Sequence, residues 1–291
     1  MNRSGDDLRV RTRRALLDAL DALEGQRDAL VVIGAQALYF HTGSAPVAMS
    51  EETKDADIGI DRTKLREDPR IEAALEDAGF HRDLKSPQPG TWINTDGIPV
   101  DLMVPEAMAG EAGSNRRGAR IPPHDKGAMR RAIGLEGTVV DNAVEEVRSL
   151  EPGDERAFSV RMAGPGALLV AKLHKVGERS AQDDKRLRDK DAHDLYRLLV
   201  AVDTQDLAEK VLLLLRNEFS LSVAEQALNY LEDLFAAGPD AMGSIRAGRA
   251  EEGIGEPETV AASVSILADD LLVAIDAGMV SRASRRGGAS I

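Results

Sequence analysis

The chain has 291 residues, 43% of them apolar and 3% aromatic, no cysteine, and a formal net charge of −13. The apolar share allows one large or two modest domains with cores of Ala, Leu and Val; without cysteine, disulfides, thiolate metal sites and a cysteine nucleophile are excluded. The acidic balance excludes non-specific wrapping of nucleic acid, which needs an excess of Lys and Arg, so contact with nucleic acid is expected to be local.

Residues 7–24 place Leu8, Val10, Leu16, Leu17, Leu20 and Leu23 at mostly helical spacing and predict an amphipathic helix. The run Leu30-Val31-Val32-Ile33, closed by Gly34, reads as a buried strand, and AQALYFHTG as a helix ending at Gly43. After the loop SAPVAMSEE, DADIGID is a second strand, and residues 62–80 read as a helix closed at Gly79. GTWINTDGIPVDLMV has the form of a hairpin with its turn at NTDG, and EEVRSLE and AFSVRMAG add strands around 144–163. From Pro165 the period is helical, interrupted by a Gly-rich segment, 238–256, expected to be a mobile loop. The expected organisation is an α+β mixed sheet with flanking helices over 1–164, a helical domain over 165–280 and a disordered tail over 281–291. No apolar run approaches the roughly 20 residues that span a bilayer. MNRSGDDLRVRTRR lacks the apolar core of a signal peptide, so a cytoplasmic protein without membrane contact is expected.

The acidic residues of TKDADIGID carry the first chemical signal. Asp55 and Asp57 are two apart, so in a strand both carboxylates project to one face and Ala56 to the other. Like charges at that spacing repel unless a cation lies between them, and hard oxygen donors suit Mg²⁺ or Mn²⁺; the bland account is a surface strand with solvated acids. Asp101 stands inside the apolar run IPVDLMV, where an unpaired carboxylate is costly. A salt bridge and a third metal bond both explain it. Gly34, between a strand and a helix, lets backbone amides approach a phosphate at a helix N-terminus. The Thr53 hydroxyl, two residues before Asp55, is a further candidate for a phosphate oxygen.

Taken together, IGAQAL, TKDAD and VDLMV resemble the nucleotidyltransferase fold of the DNA polymerase β superfamily. The resemblance implies divalent ions held by Asp55, Asp57 and Asp101 that bridge an NTP and an attacking hydroxyl. Ala35 stands where that family carries Ser or Gly, and the stretch from Gly34 to Asp55 is longer than usual. Downstream, AKLHKVGERSAQDDKRLRDKDAHDLYRLL (171–199) resembles the AbiEii-type toxins, including the MenT-like nucleotidyltransferases of type IV toxin–antitoxin systems. There Lys172 matches the family lysine, and Asp191 and Asp194, which share a helix face, match its two acids. The resemblance implies that Lys172 holds nucleotide phosphates and that Asp194 either orients that lysine or acts as base. His174 and His193 read first as surface or cap residues, and Tyr196 as packing.

The reading that follows is a metal-dependent nucleotidyltransferase moving a nucleoside monophosphate from an NTP to an acceptor hydroxyl. The MenT-like resemblance implies a tRNA 3′ end as acceptor, a toxin role and a cognate antitoxin. Arg116, Arg117 and Arg120 are placed to meet the acceptor stem, and KRLRDK (185–190) is a second basic segment. Two other readings stand beside it. One is transfer to a small molecule such as a cationic aminoglycoside, which the acidic charge suits, or to a protein side chain. The other is a non-catalytic nucleotide- or partner-binding module, which Ala35 suits.

Overall fold

The computed structural model describes residues 3–43, 45, 47, 54–83, 88–111, 117–180 and 185–287. They form an α+β architecture, a mixed sheet with flanking helices followed by a helical region. The chain divides into two compact units, Met1–Ala37 with Glu52–Ala163, and Leu38–Glu51 with Gly164–Ile291. Among the described residues no helix is long and apolar enough to cross a membrane.

The first unit opens with α1 (Arg3–Ala22), whose Leu16, Leu17 and Leu20 are buried where the helix lies against the sheet. The strand β1 (Leu30–Ile33) follows, buried along its whole length, and leads through Gly34 into α2 (Gly34–Thr42). A wholly apolar strand is what a position covered on both faces requires. Next come β2 (Ala56–Ile60), α3 (Ile71–Asp77), β3 (His81–Arg82), β4 (Thr91–Ile93) and β5 (Pro99–Pro105). The short β6 (Arg130–Ala132) precedes the hairpin of β7 (Asn142–Arg148) and β8 (Ala157–Ala163). The sheet order is β3-β4-β5-β2-β1-β8-β7, with β6 added alongside β5. β1 runs antiparallel to β2 and parallel to β8, while β2 and β5 run parallel.

Two local features fix this unit. In the β4–β5 turn, the Asn94 side-chain oxygen accepts from the amides of Asp96 (3.1 Å) and Ile98 (2.9 Å), replacing backbone partners as an Asx turn does. The expected helix over 62–80 is reduced to α3. Its first half is held in turns instead. The Gln26 side chain accepts from the Arg66 amide (2.8 Å) and donates to the carbonyls of Arg66 (2.9 Å) and Pro69 (2.6 Å). Asp61 accepts from the amide and hydroxyl of Thr63, and Pro69 disfavours helix at the residue before it.

The second unit contains α4 (Pro165–Ser180), α5 (Lys185–Ala201), α6 (Thr204–Leu214), α7 (Leu221–Leu231), α8 (Met242–Arg249) and α9 (Pro257–Gly287). α4 packs on α5, α6 and α7, and α9 packs on α6 and α8. The N-terminus of α6 is capped by Asp203, which accepts from the amides of Gln205 and Asp206. Segment 38–51 joins this unit, a departure from a simple break at residue 164. The buried Arg197 donates to the carbonyls of Thr42 (2.9 Å) and Val47 (2.6 Å) and lies over the Tyr39 ring. α9 continues to Gly287, so the tail expected from Ser281 begins inside a helix.

The Gly-rich segment 238–256 is also not an open loop, because it contains α8. The two glycines of α8 serve close packing: a Cβ at Gly243 would meet the Leu234 carbonyl at 2.6 Å, and one at Gly248 would overlap the Pro257 carbonyl. The Ser244 hydroxyl donates to the Phe235 carbonyl (3.1 Å). Gly248→Ala separates the two accounts by sign. In an open loop alanine would stabilise by about 0.4–1 kcal/mol; in this packed helix we expect a loss of about 1–3 kcal/mol. Urea denaturation measures which.

Candidate active site

The close of β1 sets the geometry. Ile33 lies opposite Asp57 of β2, and the chain then turns through Gly34 at φ +63°. That left-handed conformation favours glycine, and there is a second reason for one here: a Cβ would overlap the Asp57 carboxylate. The small residue that starts α2 thus makes room for an acid on the neighbouring strand. Ala35, next to it, is buried at 5% exposure.

β2 and β5 then bring the acids together. Asp57 is the register partner of Asp101 across the parallel pair. Asp55 lies one residue ahead of β2, with Ala56 fully buried on the opposite side. One carboxylate oxygen from each of Asp55, Asp57 and Asp101 lies within 4.8 Å of the other two. Asp55 and Asp57 are half-buried, and Asp101 is 7% exposed. Thr53 lies outside the described residues.

Asp101 has the ion pair and the convergence at once. Its Oδ1 accepts from the Thr91 hydroxyl (2.6 Å), and its Oδ2 meets the Arg130 guanidinium at 2.7 Å. Sequence reasoning did not single out Arg130. It comes from β6, a three-residue strand without apolar alternation, and only pairing of β6 with β5 brings it to Asp101. Arg117 and Arg120 are exposed; Arg116 lies outside the described residues.

The Lys172 cluster belongs to the second unit. Lys172 of α4 donates to Asp194 Oδ2 at 2.6 Å and to Asp191 Oδ1 at 3.1 Å, both on α5. Lys175 reaches Asp191 at 3.4 Å. Lys172, Asp191 and Asp194 are all buried. Burial alone would push the Lys172 ammonium down, but the two carboxylates, Asp194 foremost, outweigh it and hold the group above the ordinary lysine value. His174 hydrogen-bonds through Nε2 with the Val223 carbonyl (2.9 Å) and stands edge-on to Tyr230. His193 is fully buried against Glu251 (2.8 Å), so it is not a surface residue. In KRLRDK, which opens α5, only the side chains of Asp189 and Lys190 are described.

A family model described as Nucleotidyltransferase matches residues 11–214, well over half of the chain. The chain belongs to this nucleotidyltransferase family. The match spans both the Asp55–Asp57–Asp101 group and the Lys172 cluster. No curated protein matches. Among solved structures, JHP933 from Helicobacter pylori is 12% identical, with a TM-score of 0.45 over 95% of this chain and 97% of its own. A proposed nucleotidyltransferase from H. pylori is 13% identical, with a TM-score of 0.43 over 95% and 98%. An antigenic nucleotidyltransferase-like protein from Paracoccidioides brasiliensis is 14% identical, with a TM-score of 0.33 over 76% and 93%.

The buried lysine yields a stability prediction. Lys172→Met removes the buried ammonium that Asp191 and Asp194 share, and breaking such a cluster from one side costs about 3–5 kcal/mol. Lys172→Met combined with Asp191→Asn and Asp194→Leu is expected to cost less than Lys172→Met alone. Chemical denaturation of the two variants gives the order, and a triple variant weaker than the single one would contradict it.

Proposed function

We propose that the protein transfers a nucleoside monophosphate from an NTP to an acceptor hydroxyl with release of pyrophosphate, in a reaction dependent on Mg²⁺ or Mn²⁺. The observation that carries this reading is the meeting of three carboxylates from β2, its approach and β5 beside Gly34. The donor set fits a hard divalent ion: three carboxylate oxygens on one side of a sheet, two of the acids half-open to solvent. Asp55, Asp57 and Asp101 would hold the ion, which when bound would neutralise triphosphate charge and lower the pKa of the attacking hydroxyl.

The chain's own residues supply the positioning. Thr91 and Arg130 fix the rotamer of Asp101, so its carboxylate is aimed before substrate arrives. Gly34 keeps the ground beside Asp57 clear of side chain, and its place between β1 and α2 suits close approach of a phosphate to backbone amides. In this reading Lys172 serves the nucleotide phosphates, and Asp191 and Asp194 orient its ammonium. The hydrogen bonds at 2.6 and 3.1 Å support that orienting role.

For the acceptor, we carry forward the tRNA 3′ end and a toxin role with a cognate antitoxin. The likeness of 171–199 to AbiEii-type toxins supports this, as do the exposed Arg117 and Arg120. The net charge of −13 favours a second reading, transfer to a cationic small molecule such as an aminoglycoside.

Incubation with α-³²P-labelled NTPs, Mg²⁺ and either total tRNA or an aminoglycoside decides the acceptor by which one gains label. Asp57→Asn is expected to lower transfer about a hundredfold or more, as loss of several kcal/mol of transition-state stabilisation requires. Chelation by EDTA should stop the reaction and Mg²⁺ restore it. A fully active Asp57→Asn protein would refute the site. For the toxin role, expression of the parent chain should arrest growth while Asp57→Asn should not.

A further inference from the structure

Arg130 is built into its position more firmly than a surface arginine. Gly90, at φ +81°, packs so closely on β5 and β6 that an added Cβ would overlap the Leu102 carbonyl and stand 2.6 Å from the Arg130 amide. Trp92 is fully buried, and its indole N–H donates to the Ala128 carbonyl (2.9 Å), two residues before Arg130. The Gly90 amide donates to the Gly127 carbonyl (2.9 Å), and the Leu102 amide to the Gly90 carbonyl (2.8 Å). Met103, opposite Arg130 in register, receives a second contact from the same guanidinium at 3.3 Å. The backbone around Arg130 is thus fixed against β5, and its guanidinium is shared between the Met103 sulfur and Asp101.

We propose that Arg130 is a resident counter-ion that competes with the divalent ion for Asp101 and thereby sets the affinity of the site for metal. This rests on the metal-dependent reading above. Arg130 occupies Asp101 Oδ2 and Thr91 occupies Oδ1, so a metal at Asp101 would share whichever oxygen it used with a resident partner. Arginine side chains stay charged in proteins, so the competitor is a constant one. Its roles oppose one another. It relieves repulsion among three carboxylates before metal binds, and it repels the incoming dication afterwards. The site is held together without metal and releases it more readily than a bare carboxylate triad would. Arg130 is therefore a positioning residue that acts through Asp101.

The test is Mn²⁺ titration of the full chain, with free Mn²⁺ read by electron paramagnetic resonance and no nucleotide present. Arg130→Gln should bind Mn²⁺ about tenfold more tightly than the parent, the scale of removing one charge some 6 Å from a dication in a solvated setting. Arg130→Lys, which keeps the charge, should stay within about threefold of the parent. In EDTA, Arg130→Gln should melt below the parent, and saturating Mn²⁺ should narrow that gap. A gain in affinity is a result that simple damage to the fold does not produce. Equal or weaker binding by Arg130→Gln, with the parent binding and Asp57→Asn not, would overturn this proposal and leave the metal site intact. Absence of Mn²⁺ binding by the parent would overturn both. An Arg130→Gln chain that stays unfolded even in Mn²⁺ would refute the claim that metal takes over the arginine's role.

Discussion

Repulsion among carboxylates is the constraint on which the site depends. Asp55, Asp57 and Asp101 each bring an oxygen within 4.8 Å of the others. At that range two ionised groups repel by about 3 kcal/mol with an effective dielectric near 20. Positive charge nearby lowers the cost of assembling such a group on adjacent strands. Arg130 supplies one such charge, directed at Asp101, the most buried of the three. Asp55 and Asp57 remain half-open, where a hard cation can reach them.

The sheet meets this constraint through register rather than loop geometry. Asp57 faces Asp101 because β2 and β5 run parallel in that alignment, and Ile33 faces Asp57 because β1 runs antiparallel in that alignment. A slip of one residue in either pair would turn an acid into the core and an aliphatic side chain into the site. The alternation of Asp55, Ala56, Asp57 and Ile58 makes that slip prohibitive, since Ala56 and Ile58 are fully buried. The left-handed turn at Gly34 completes the arrangement, because any side chain there would take the space of the Asp57 carboxylate. Packing and electrostatics thus select the same register.

The parts of this arrangement governed by local pattern were legible in the sequence. The D-x-D alternation, the apolar run before Gly34 and the β4–β5 hairpin are short-range signals, and the strands form where those signals lie. Long-range partners were not legible. Arg130 reaches Asp101 through a three-residue strand with no periodicity, and Gln26 replaces the first half of an expected helix by hydrogen-bonding to Arg66 and Pro69. Two glycines within 238–256 carry the same lesson. Composition reads them as looseness, yet Gly243 and Gly248 are small because neighbouring backbone and the Phe235 ring occupy the space of a side chain. His193 is a further case: its burial against Glu251 depends on α8 and the turn after it, which the sequence presents as loop.

The two charged clusters differ in how far their charges are closed in on themselves. Around Lys172, two buried carboxylates face a buried ammonium, with Lys175 adding a second, half-exposed one. Burial strengthens each attraction there and makes the loss of either partner expensive, so the cluster is rigid and its lysine is oriented. Around Asp57 three carboxylates converge, Arg130 meets Asp101, and the other two acids are half-open to solvent. Rigidity suits the positioning of a group. Convergent carboxylates partly open to solvent suit the reversible capture of a dication. The same residue types therefore take different arrangements in the two units according to their burial, closed on themselves in one and partly open to solvent in the other.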